Sequence, residues 1–99
     1  MDIEDWRSEI DAIDMQLLRL LNTRARLAIK VGALKQAACL PLCDPLREVE
    51  ILDRVCAANR GPLNDCVVGK LFRHIIAASR HAEKEICEEG TVVAQEVAL

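Results

Sequence analysis

The chain has 99 residues, 52% of them hydrophobic, with thirteen Lys and Arg against sixteen Asp and Glu for a net charge of −3. That is the size and apolar content of a single domain, while 2% aromatic residues and an acidic balance exclude the stacking platform and the basic footprint of general nucleic-acid binders. No run of roughly 18 apolar residues occurs and the acidic opening Met1-Asp2-Ile3-Glu4-Asp5 has no signal-peptide pattern, so a cytoplasmic protein with neither nucleic acid nor membrane as partner is expected.

The first predicted element is a very long helix. Ile3, Ile10, Leu17, Arg24 and Val31 recur every seven residues, and Trp6, Ile13, Leu20, Leu27 and Leu34 form the second row of the same stripe. This is an a/d heptad pattern. A helix over 3–38 is ~54 Å long at 1.5 Å per residue, whereas a 100-residue globule has a radius of gyration of only ~13 Å. The residues that remain cannot cover such a helix along its length. The pattern therefore predicts a partner copy with its own long helix alongside, in an intertwined antiparallel homodimer.

A second helix is predicted from Asp44-Pro45, because Asp is a strong N-cap and Pro favours the first helical position. It carries Val49, Leu52, Val55 and Cys56 and stops before Gly61-Pro62. A third helix, capped by Asn64 and followed by Gly90, has Val68, Phe72, Ile75, Ile76 and Ala82 as its apolar row. The fold class is thus all-α with three helices. The domain covers 1–90, and a disordered tail is expected over 91–99.

Five cysteines, Cys39, Cys43, Cys56, Cys66 and Cys87, make an odd count without CxxC spacing. A disulfide framework is not expected. The two histidines, His74 and His81, lie seven apart and far from any cysteine, so no zinc quartet forms and neither metal nor cofactor is expected.

Charges interrupt the apolar pattern at three places. Arg24 holds an a position, where a buried guanidinium needs a partner. An interhelical ion pair or a snorkelling side chain would satisfy it. Lys35 follows Arg24 by eleven residues, ~16 Å along the helix, so a small anion fits between their heads. Arg7 lies ~25 Å before Arg24 and reaches that anion only from an antiparallel partner helix. Taken singly, Arg7 and Lys35 also read as solvated surface charges. In the third helix the row Phe72, Ile76, Ser79, Glu83, Ile86 steps by 4, 3, 4, 3. Ser79 and Glu83 stand where it should stay apolar, unless the stripe drifts toward solvent there. Asp44-Pro45-Leu46-Arg47-Glu48 reads as a cap with a first-turn acid, which leaves Arg47, a cation at the positive end of a helix, unexplained.

These positions resemble the all-helical chorismate mutases. Arg7-Ser8-Glu9-Ile10-Asp11-Ala12-Ile13-Asp14 is similar to that family's opening, and Arg24-Ala25-Arg26-Leu27-Ala28 with Val31-Gly32 and Lys35 to its middle section. Asp44 to Glu48 is similar to its D-x-x-R-E element, and Leu71-Phe72 to Ser79 to its third helix. The likeness covers about residues 5–87. Each motif alone is weak; the ordered set Arg7, Arg24, Lys35, Asp44, Arg47, Glu48, Ser79, Glu83 is specific.

The resemblance implies a pericyclic rearrangement of chorismate to prephenate, on the route to phenylalanine and tyrosine, with no metal, cofactor or nucleophile. It also implies the roles. Arg24 and the other subunit's Arg7 grip the two carboxylates of the dianionic substrate, with Arg47 and Ser79 in support. Glu48 accepts the ring hydroxyl and Asp44 orders that loop. Lys35 and Glu83 act at the ether oxygen, where Glu83 must be protonated to donate. Lys35, Glu83 and Arg24 are the expected catalytic groups. Two alternatives stay open: an isochorismate pyruvate lyase on the same scaffold, although the lyases compared do not keep the full Asp44/Arg47/Glu48 element, and a non-catalytic helical dimerisation or effector-binding module.

Overall fold

A computed structural model of the chain describes residues 1–86 with their side chains. It contains three helices, α1 (Ile3–Ala37), α2 (Pro45–Ala58) and α3 (Asp65–Ala98), and no strand among the described residues. The all-α class and the order of the three helices are those the sequence predicts. The stop predicted at Gly90 lies outside the described residues. The tail expected over 91–99 lies outside the described residues.

Local chemistry sets the helix ends. Asp2 and Asp5 close a reciprocal capping box at the start of α1, with N–H···O distances of 2.9 and 3.0 Å. At its other end Cys39 turns the chain with φ +57°. The Leu40 N–H then donates to the Lys35 carbonyl at 2.8 Å. Asp44 caps α2 by accepting the Arg47 N–H at 3.1 Å, with Pro45 in the first helical position. Asn64 caps α3 by accepting the Val67 N–H at 2.9 Å. Each such cap is worth about 1 kcal/mol.

α3 packs along α1 and also against α2. The apolar core inside one chain is thin. Val68 and Ile76 are its buried hydrophobic residues among those described, and no large side chain is fully buried. The molecule measures 58 × 33 × 14 Å with a radius of gyration of 17.5 Å, well above the ~13 Å of a 100-residue globule. The heptad face of α1 stays open to solvent: Trp6 is 52% exposed, Leu20 66% and Leu34 72%. No helix of the described residues is long and apolar enough to cross a membrane.

Candidate active site

The C-terminal half of α1, the first turns of α2 and the middle of α3 line an open cavity of about 260 Å³. Seven of the eight residues singled out in the sequence line it: Arg24, Lys35, Asp44, Arg47, Glu48, Ser79 and Glu83. Leu27, Ala28, Val31, Leu42, Ile51 and Ile76 supply its apolar walls. The eighth, Arg7, is not on the wall. It sits on the exposed face of α1, where its guanidinium pairs with Glu4 at 2.9 Å.

α1 contributes two cations. The half-buried Arg24 donates from NH1 to the Ser79 hydroxyl at 2.6 Å and, among the described residues, pairs with no carboxylate. Lys35 donates from Nζ to the Leu42 carbonyl at 3.2 Å, so the turn after α1 fixes its head. From α2, Asp44 spends one carboxylate oxygen on the cap, and Arg47 pairs outward with Glu50 at 3.3 Å.

α3 contributes Ser79 and Glu83, which are 6% and 8% exposed. At these two positions the stripe has not drifted to solvent: both turn inward against α1, and it reaches solvent only at Ile86. Glu83 packs on Gly32, whose missing side chain makes the room: a Cβ there would stand 3.2 Å from Glu83 Cγ and 3.2 Å from Oε2. Glu83 Oε2 is buried with no hydrogen-bond partner among the described residues. Burial raises the Glu83 carboxyl above its ordinary pKa, against the pull of Lys35, Arg80 and Arg24.

Arg80 is the residue that sequence reasoning misses. It lines the cavity, pairs through NH2 with Glu48 Oε1, and donates from NH1 toward Cys43 Sγ at 3.7 Å. The available signal was its place three residues before Glu83, on the same helical face. Its partner, though, comes from another helix. Gly32 carries no local signal of its role either, because its contact with Glu83 also belongs to tertiary packing.

Four cations and three carboxyl groups line the wall. With Glu83 neutral, the cations exceed the anions by two, which suits a small dianion. No group of three His, Cys, Asp or Glu able to hold a metal occurs among the described residues.

Comparison with known proteins adds an independent finding. Residues 6–84 match the family model for chorismate mutase type II. The chain is 33% identical over 88 residues to the chorismate mutase of Methanocaldococcus jannaschii, covering 88% of this chain and 89% of that protein. It is 38% identical over 89 residues to a bifunctional chorismate mutase/prephenate dehydratase of Aquifex aeolicus, covering 86% of this chain but only 25% of that enzyme. The chain thus spans about a quarter of the bifunctional relatives it matches. Among solved structures, chorismate mutase form II of Thermus thermophilus superposes with a TM-score of 0.81 at 40% identity, over 83% of this chain and 93% of that one. The Helicobacter pylori chorismate mutase in complex with prephenate also gives 0.81, at 32% identity, over 88% and 94%.

Proposed function

The chain belongs to the type II chorismate mutase family, and from that membership we infer that it rearranges chorismate to prephenate in the cavity between α1, α2 and α3. The observation that carries the reading is the pairing of a cation-rich wall with one buried, unpartnered carboxyl, Glu83.

The reaction is unimolecular. The protein has to hold a dianion in a compact conformer and stabilise charge on the ether oxygen as its C–O bond breaks. Arg24 takes a carboxylate: its bond to Ser79 orients the guanidinium and leaves the rest of the fork without a partner among the described residues. Lys35 is held by the Leu42 carbonyl and supplies a fixed positive charge near the ether oxygen. Burial favours the neutral form of Glu83, and in that form its carboxyl donates a hydrogen bond to that oxygen without losing the proton. Glu48 accepts the ring hydroxyl. Asp44 holds the first turn of α2 in place, and Arg47 rotates from Glu50 to support the carboxylate end.

The active form is a homodimer in which α1 of the partner subunit covers the exposed heptad face and Arg7 of the partner subunit completes the carboxylate grip. The thin core of one chain and the open Trp6, Leu20 and Leu34 support that assembly. The unpaired Cys39, Cys43, Cys56 and Cys66 suit work in the reducing cytoplasm.

The test is loss of chorismate ultraviolet absorbance with purified protein, with prephenate identified as product. Saturable turnover is expected. Arg24→Ala and Lys35→Ala should each lower kcat/KM by roughly 10²–10³-fold, the cost of removing a group aimed at developing charge. No turnover at any pH, or pyruvate release from isochorismate instead, overturns the reading.

A further inference from the structure

Each cation of the cavity has a different partner. Arg24 rests on a hydroxyl, Lys35 on a backbone carbonyl, and Arg47 on Glu50 outside the wall. Arg80 alone is paired with a carboxylate that itself lines the cavity, Glu48. The pair joins α3 to the first turn of α2, across 32 residues of chain. The Arg80 side chain is 39% exposed and that of Glu48 30%, so the pair is partly solvated. Ion pairs of this kind contribute little to stability. Its consequence is geometric and electrostatic. A carboxylate left loose in this cavity would capture Arg24 or Lys35, or repel an incoming dianion.

We propose that Arg80 is a positioning residue for the reaction: it holds Glu48 at the cavity wall as a neutralised, oriented acceptor for the substrate's ring hydroxyl. One Glu48 oxygen is taken by the guanidinium, and the carboxylate's other lone pairs stay available to a hydroxyl donor. The bidentate capacity of a guanidinium matters here, because its second nitrogen also reaches Cys43 in the α1–α2 connection. One side chain therefore fixes both the carboxylate and the loop that leads into α2. With Glu48 balanced by Arg80, the charges of Arg24, Lys35 and Arg47 remain for the substrate.

The assignment rests on the mutase reading. Turnover of chorismate by the unmodified protein is measured first, and its absence removes that reading and the positioning role together. Arg80→Met and Arg80→Lys are then compared in the native chain and in Glu48→Gln. Rates are taken on the acid plateau, where Glu83 is protonated in every variant, so that loss of the Arg80 charge beside Glu83 does not enter. Arg80→Met should lower kcat/KM about tenfold, mostly through KM, because a hydroxyl–carboxylate contact exists in ground and transition states alike. Arg80→Lys should recover part of the loss. In the Glu48→Gln background Arg80→Met should cost less than about twofold, since interacting residues are not additive. Circular dichroism melts should stay close to those of the native chain. If native turnover is intact while Arg80→Met costs nothing, or costs the same factor in both backgrounds, the assignment to Glu48 is overturned and the mutase reading stands.

Discussion

On the proposed mechanism Glu83 concentrates the chemistry of the site in one proton. Burial favours the neutral carboxyl, and Lys35, Arg80 and Arg24 oppose it; burial prevails, so the pKa is raised. The neutral form can donate to the substrate's ether oxygen, whereas the carboxylate would repel it. The proton is present below the raised pKa and lost above it. Activity is therefore expected on the acid side and should fall by about tenfold per pH unit above that pKa in kcat/KM. Glu83→Gln, whose amide donates at any pH, should give a profile without this limb. A profile unchanged by the substitution would remove Glu83 from the mechanism. At this scale the sequence was informative wherever a charge broke a pattern. Arg24 stood at a heptad position, and Ser79 and Glu83 stood in an apolar row. Arg80 broke none, since an arginine on a helix flank is ordinary until α2 brings Glu48 to it.

The Asp2/Asp5 box that caps α1 emerged only in the structure, but secondary structure was legible because α1 carries a sustained heptad and α2 and α3 carry their own start signals, Asp44-Pro45 and Asn64. The contacts between helices were not, and Gly32 is the clearest case. On propensity alone, alanine at a buried helical glycine would gain about 1 kcal/mol. Yet its Cβ would meet Glu83 Cγ, Oε2 and Cβ at 3.2–3.3 Å, and the carboxyl must give way by a few tenths of an ångström. The two effects act on different quantities. Gly32→Ala should fold with stability within about 1 kcal/mol of the native chain. Its kcat should fall by about 3–10-fold, because a catalytic group displaced by a fraction of an ångström loses part of its alignment. Thermal melts and steady-state kinetics on one preparation check both halves. A native kcat would mean that Glu83 works from more than one position.

The elongated shape follows from arithmetic available in the sequence. A helix of 35 residues cannot be enclosed by the rest of a 99-residue chain, and the extents of 58 × 33 × 14 Å reflect that. The cavity walls, by contrast, depend on how three helices cross, which no local pattern encodes. One long heptad face and one distant arginine make the same demand on the assembly. Arg7 lies on α1 outside the cavity, and the exposed α1 stripe needs cover. In the proposed two-fold dimer each site would take Arg24 from one chain and Arg7 from its partner. Arg7→Ala and Arg24→Ala should each be nearly inactive as pure proteins. When the two are unfolded together at equal concentration and refolded, half of the dimers pair unlike chains. In those, one site carries both substitutions and the other carries neither, so about a quarter of the native activity should return. Light scattering should give the mass of two chains before and after mixing. If Arg7 served its own chain, or if the protein worked as a monomer, no complete site could form and no activity would reappear.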